Sequence, residues 1–315
     1  MKKLRQEFAD TMLEIGPQDP RLVVMVGDIS HGILQPYAKA CSGRYYNIGI
    51  CEPTIVNMAA GLNKTGLIPV VHTIAPFITE RSYEQIKLDF GYQNLSGNIV
   101  SVGGAFDYAQ LGCSHHCYTD VSLISHLKRG VVVLPGSPAE FNKLFKETYT
   151  NGLINYFRLP DNAHGVEFKD EDIHFGRGIC VREGSDATIA VIGSQLRNAL
   201  LAADKLAAQG VSVEVLYFHT IKPFDFALVR ASVAKTKRLL TVEELSAHDG
   251  IFNLCLRACL GLNDIAMAQI AIDDFVHGYG SYEELCARIG MSSDGISEAI
   301  LGLKVKATEN TGFIK

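Results

Sequence analysis

Short, almost wholly apolar runs alternate along the chain with longer segments whose apolar residues recur every three or four positions. The first kind reads as buried strands and the second as amphipathic helices. Leu4, Phe8, Met12 and Leu13 predict an opening helix, and residues 21–28 a buried strand ending in Gly-Asp. Residues 46–50 read as a short strand. Ile55, Met58, Ala59 and Leu62 then recur at helical spacing, with Pro53 suited to a first helical turn, where its missing N–H costs nothing. Residues 68–73 form a further strand that runs into a helix over about 80–92, and 98–104 a strand ending in Gly-Gly. Residues 131–135 and 155–159 complete the strands of this half, separated by a helix over 137–151 that Ser137 caps.

Such alternation predicts a parallel sheet with helices on both faces. It breaks over residues 160–186, which are polar and charged and carry a short β excursion, and restarts at Ala187. Beyond that point residues 188–192, 211–217, 238–242 and 270–272 read as strands, and 194–209, 225–234, 251–261, 281–289 and 293–305 as helices. The expected architecture is two doubly wound, mainly parallel α/β domains in tandem. They span residues 1–160 and 187–315 and are joined by a connecting segment, 161–186.

A length of 315 residues agrees with two domains, because single cores stop growing at about 250–300 residues. The net charge of −5, with no basic block, argues against nucleic acid or an anionic membrane as the main partner. The first residues form an amphipathic pattern and not a signal peptide, and no apolar run reaches the ~18 residues needed to span a bilayer. Eight scattered cysteines read as reduced thiols, so a soluble, cytoplasmic protein is expected.

Three positions at consecutive strand ends of the first half carry candidate chemistry: Glu52, Phe77 and His115. In an open α/β sheet such positions converge on one rim. Taken singly, each has an ordinary explanation. Glu52 suits a first helical turn, where a carboxylate stabilises by about 0.3–1 kcal/mol, and a phenylalanine is more often core than platform. Together they can do more. Desolvation disfavours the charged form of a carboxyl, which suits it to share a proton with a heterocyclic nitrogen. An aromatic ring can stack on that heterocycle. A histidine on the long polar loop 105–120 can exchange protons with a substrate hydroxyl near neutral pH. Asp28 serves equally as a helix-initiating residue or a functional one, within a polar loop that includes Ser30 and His31. The run Cys113-Ser114-His115-His116-Cys117 holds zinc-binding residue types. No second Cys/His pair has matching spacing, so no metal ligand is assigned.

These residues carry a family resemblance. Gly49-Ile50-Cys51-Glu52-Pro53, followed by an Ala-Gly helix, resembles the glycine-x-x-Glu signature of transketolase-type thiamine-diphosphate enzymes. Thr73–Phe77 followed by Tyr83-Glu84-Gln85-Ile86 resembles the aromatic turn and helix after it, and Leu111-Gly112-Cys113-Ser114-His115 the family's Gly-Pro-Thr-His loop. Phe218–Asp225 and Thr241-Val242-Glu243-Glu244 resemble the carboxy-terminal domain of transketolases, deoxyxylulose-phosphate synthases and 2-oxo acid dehydrogenase β subunits.

The resemblance implies that Glu52 contacts the cofactor's aminopyrimidine and drives the tautomer change that activates it. It implies that Phe77 stacks on that ring, and that His115 contacts substrate and assists its proton transfers. Asp28 and Ile50 are expected near the cofactor, Asp28 at a subunit interface, and His31 and Arg81 near the substrate. The family holds Mg2+ and pyrophosphate with a Gly-Asp-Gly run and a later Asn, and this sequence has no Gly-Asp-Gly.

The chain therefore reads as the carboxy-terminal half of a split transketolase. A separate subunit would anchor thiamine diphosphate and Mg2+, and a homodimer core would sit within an α2β2 tetramer. The reaction expected is transfer of a two-carbon ketol unit between a ketose and an aldose. Leu111 and Asp161 stand where the family has an Asp and a phosphate-gripping Arg. Either Arg158, Arg81 or a partner residue binds the acceptor's anion, or the substrate is not an ordinary sugar phosphate. A deoxyxylulose-phosphate-synthase-like enzyme, a 2-oxo acid dehydrogenase β subunit and a non-catalytic assembly subunit are the alternatives.

Overall fold

The first half supplies strands β1 (Leu22–Val26), β2 (Tyr45–Asn47), β3 (Ile68–Ile74), β4 (Gly97–Val102), β5 (Gly130–Val133) and β6 (Ile154–Leu159). The second supplies β7 (Ile179–Arg182), β8 (Ala187–Ile192), β9 (Val213–Phe218), β10 (Thr220–Lys222), β11 (Arg238–Ser246) and β12 (Ala266–Ile272). The structure, a computed structural model, describes residues 2–303, so the last two positions of the helix expected over 293–305 lie outside the described residues.

Two mainly parallel sheets result, ordered β10-β5-β6-β4-β3-β1-β2 and β12-β11-β8-β9-β7. β7 is antiparallel to β9, and β10 is antiparallel to β5. The central strands are buried along their whole length, as strands covered on both faces must be. Alternation along β1 shows how both faces are used. Val23 and Met25 join Ile55, Val56 and Ala59 of the helix Glu52–Lys64 on one side. Leu22, Val24 and Val26 join Phe8 and Met12 of the helix Leu4–Ile15, with Phe141 and Phe145 of the helix Pro138–Thr148, on the other. As the sequence indicates, Ser137 caps this last helix, its hydroxyl accepting from the Glu140 N–H.

β10 is the main departure in topology. It belongs to the second half by sequence, yet it pairs with Val132 and Val133 at the edge of the first sheet. Val132 and Leu134 of the first half, with Ile221 and Phe224 of the second, lie in one buried apolar cluster that continues to Leu216 and Phe218. The connecting segment is pinned from within. His164 Nε2 lies 2.8 Å from Glu140 Oε1, and the Tyr217 hydroxyl donates to Glu140 Oε2 at 2.6 Å. Burial alone would push the Glu140 carboxyl up, but the contacts with His164 and Tyr217 hold it below the usual carboxylate range.

The helix expected over 80–92 is interrupted. A short helix, Ala75–Thr79, precedes a break at residues 80–82, and Tyr83–Gln85 then widens into a π-helical stretch, Ile86–Tyr92. At the break the Ser82 hydroxyl donates to the Phe77 carbonyl at 3.2 Å, and the Arg81 amide reaches back to the Pro76 carbonyl. π-Helical turns are rare and occur mostly near functional sites. β11 and β12 run longer than expected, because β11 stays buried through the polar Glu243, Glu244 and Ser246, and Ala266–Gln269, half-buried with Gln269 exposed, lacks a strong apolar pattern. The short helices Gln35–Ala40 and Asp120–Ser125 were not legible in the pattern.

Candidate active site

Glu52, Phe77 and His115 follow β2, β3 and β4, at the carboxyl edge of the first sheet where open α/β folds place their sites. Glu52 is the first residue of its helix, with Pro53 in the first turn. Its side chain is 1% exposed although it is a carboxylate. Oε2 accepts from Arg81 Nη1 at 2.9 Å, whereas Oε1 has no hydrogen-bond partner among the described residues. A buried polar atom left in that state costs about 1–3 kcal/mol, and native proteins keep few of them.

Phe77 lies half-buried in the short helix that ends β3. The Arg81 guanidinium carbon stands 4.2 Å from its ring centroid, and the His115 ring meets it edge-on at 5.1 Å. Arg81 therefore links Glu52 to Phe77, and Phe77 links that pair to His115. Burial and then the Arg81 charge lower the His115 pKa from its ordinary value, which favours the neutral imidazole. Its Nδ1 lies 3.0 Å from the Ser114 hydroxyl.

The loop carrying His115 is held by contacts that the sequence pattern did not reveal. Tyr108 packs edge-on against His115 at 6.0 Å between centroids, and its hydroxyl accepts from Arg5 Nη2 at 2.7 Å. Gly103 has φ +79°, and a Cβ there would lie 2.2 Å from the Tyr108 ring. At Gly104 a Cβ would lie 2.5 Å from Arg158 Nε. The Gly-Gly after β4 thus admits one aromatic and one guanidinium beneath the loop. Ala105 and Cys117 close the loop's base by exchanging backbone hydrogen bonds. Thr119 donates to Glu80 at 2.6 Å, tying the loop to the break that carries Arg81.

The other expected residues are not tied to this group by hydrogen bonds or ring contacts among the described residues. Asp28 is exposed at φ +57° and exchanges hydrogen bonds with Asn47, its N–H donating to Asn47 Oδ1 and its Oδ1 accepting from Asn47 Nδ2. It does not start a helix. His31 contacts Tyr45 and Gln35. Neither Asp28 nor His31 has a hydrogen bond or ring contact with Glu52, Phe77 or His115 among the described residues. Ile50 is 68% exposed.

Arg158 is corrected as a candidate for binding an acceptor's anion: it is buried, donating to Asp120 Oδ1 at 3.0 Å and to the Glu244 carbonyl. Asp161 faces Lys3 at 3.6 Å. Cys113 is exposed and Cys117 buried, and they form no metal cluster with the histidines. Among the described residues the one group of three ligand-type side chains within reach of each other is Cys180, Glu183 and Glu214, on another part of the molecule.

Fold and domain order together define a two-domain α/β subunit with a buried carboxylate and an aromatic ring at the rim of its first sheet. The chain belongs to the transketolase family. The transketolase pyrimidine-binding domain family matches residues 1–163, and the transketolase C-terminal domain family residues 176–296. It is the carboxy-terminal half of a split, thiamine-diphosphate-dependent transketolase.

The chain is 28% identical to the 6-deoxy-6-sulfo-D-fructose transketolase subunit SqwH of Clostridium sp. (strain MSTE9), over 94% of this chain and 92% of that one. It is 29% identical to a subunit of the apulose-4-phosphate transketolase of Phocaeicola vulgatus, over 94% and 96%. A solved split gene transketolase, an inactive beta4 tetramer, superposes with a TM-score of 0.86 at 26% identity, covering 95% of this chain and 97% of the other.

Proposed function

We propose that this subunit supplies the pyrimidine-binding half of an active site that transfers a two-carbon ketol unit between anionic sugars. The observation that carries the reading is the buried Glu52 carboxylate, with one oxygen unpartnered among the described residues and the other held by Arg81, whose guanidinium lies over the Phe77 ring. That donor set fits an aminopyrimidine: a carboxyl oxygen for a ring nitrogen and an aromatic face for the ring. Glu52 and Phe77 would hold it, with Ile50 and Asp28 nearby. When bound, thiamine diphosphate supplies the nucleophilic carbon on which the carbon–carbon bond is broken and remade.

The chain's own part is proton handling and positioning. Glu52 holds or gives up a proton at the ring nitrogen, and its burial keeps water from competing for it. Neutral His115 accepts a proton from a substrate hydroxyl and returns it. Tyr108, locked by Arg5, keeps the imidazole in place.

Mg2+ and the pyrophosphate fall to a partner subunit with a Gly-Asp-Gly run and a later Asn, because this sequence has no Gly-Asp-Gly. The proposed assembly is an α2β2 tetramer with a homodimer of this chain at its centre. Exposed apolar side chains of the first domain at Ile50, Met58, Leu88 and Tyr92 support an interface formed by that domain. The limits 1–160, 161–186 and 187–315 are retained as its working division. A cytoplasmic location accords with eight unpaired cysteines and with the lack, among the described residues, of any helix long and apolar enough to cross a membrane.

Both named relatives act, by their names, on sugars that carry an anionic group. With Arg158 buried, Arg81 is the cation of this chain best placed to meet such a group, with His31 and partner residues as further candidates. Co-expression of the chain with its partner subunit, followed by a ketol-transfer assay with and without thiamine diphosphate and Mg2+, tests the proposal. Activity that depends on both additions is expected, and transfer that is absent or indifferent to them overturns it.

A further inference from the structure

Arg81 makes, within this chain, both of the contacts that the proposed cofactor ring would need. Its guanidinium donates to Glu52 Oε2 at 2.9 Å and covers the Phe77 ring at 4.2 Å. A guanidinium is flat, cationic and rich in N–H donors, so it satisfies a carboxylate and an aromatic face much as an aminopyrimidine does. A ring seated on the face of Phe77 that Arg81 covers would displace the guanidinium from it.

The partners of this contact differ in freedom. Glu52 is buried, whereas the Arg81 side chain is 47% exposed. The Arg81 backbone is fixed by its amide bond to Pro76, and its neighbours Glu80 and Ser82 are anchored to Thr119 and to the Phe77 carbonyl. The guanidinium can therefore swing toward solvent on its own side-chain torsions while the backbone stays.

We propose that Arg81 is a resident stand-in for the aminopyrimidine: it pairs Glu52 and covers Phe77, and thiamine diphosphate binds by exchange against it. This rests on the reading that Glu52 and Phe77 seat the cofactor. The exchange keeps a buried carboxylate compensated before loading. It also releases a cation beside the entering substrate.

The test is calorimetric titration of the complex of this chain and its partner subunit with thiamine diphosphate at saturating Mg2+. Arg81→Ala removes the competitor, so its Kd should fall about fivefold, the worth of a half-exposed ion pair with a cation–π contact. In a Glu52→Gln background the same substitution should change Kd by less, because the pair is already broken. A Kd that is unchanged or higher in Arg81→Ala overturns the proposal, as does an equal effect in both backgrounds. Failure of the underlying reading looks different, since Glu52→Gln would then leave ketol transfer intact.

Discussion

The His115 imidazole stands edge-on to the Phe77 ring, 5.1 Å between centroids and 71° between planes. They stand 38 positions apart in sequence, and the contact depends on the β3 turn and the long loop after β4 arriving at the same rim. It means that the platform proposed for the cofactor ring and the base proposed for the substrate share one surface. Damage to either should be felt by the other.

Phe77→Ala removes that shared surface. Loss of an aromatic contact is worth about 0.5–1.5 kcal/mol beyond area, and the cofactor should bind roughly tenfold more weakly in calorimetric titration of the complex. Because Phe77 lies at the rim and outside the central strands, thermal unfolding should change little. Cofactor affinity equal to the wild type would remove Phe77 from the site.

His115 titrates below its ordinary value because of burial and then the Arg81 charge. Removing a positive neighbour favours the charged imidazole, so Arg81→Ala should raise the His115 pKa. The acid limb of the kcat/KM profile should move to higher pH. A limb that stays in place would separate His115 from the proton transfer that limits it.

The Glu140–His164 contact makes a prediction about stability. Glu140 has a depressed pKa, its burial being outweighed by His164 and Tyr217. A carboxyl of this kind contributes stability above its unfolded pKa and loses it as pH falls through the lower folded value. Acid unfolding should therefore include a Glu140-dependent part below about pH 4.5. His164→Ala should destabilise by about 1–3 kcal/mol, leaving a buried carboxylate oxygen short of a partner. Chemical denaturation at pH 7 and pH 4 reads both effects, and a loss under 1 kcal/mol at pH 7 would contradict them.

Two glycines separate backbone need from helix propensity. Gly103→Ala places a Cβ against Tyr108 at positive φ and should cost about 1–3 kcal/mol. It should also lower turnover, by displacing the loop that carries His115. Gly61→Ala adds a Cβ that meets nothing within 4 Å inside the helix Glu52–Lys64, and should stabilise by about 0.5–1 kcal/mol. Melting temperatures of the two variants check the contrast.

Much of this molecule could be read from its sequence because buried parallel strands are continuous apolar runs and their helices are periodic. Glu52, Phe77 and His115 were found as strand-end positions, and the structure brings them to one rim. What escaped was made by distant partners. Arg158 was one of the alternatives for the acceptor's anion, but Asp120, 38 residues away, and the Glu244 carbonyl, 86 away, hold it in the interior. Tyr108 gave no local sign that it props His115. The break at residues 80–82 was hidden because the apolar spacing runs through it, and only the Ser82 and Thr119 contacts reveal why the chain turns there. β10 crosses to the other sheet, a choice no local pattern encodes.

The proposed function turns on proton exchange between the Glu52 carboxyl and a bound coenzyme ring. Glu52→Gln keeps size and hydrogen bonding while removing that proton exchange, and its measurement is the rate of ketol transfer by the complex with its partner subunit at saturating thiamine diphosphate and Mg2+. A fall of about 10²–10⁴-fold with assembly intact is the predicted result, and a rate within twofold of the wild type would contradict the account.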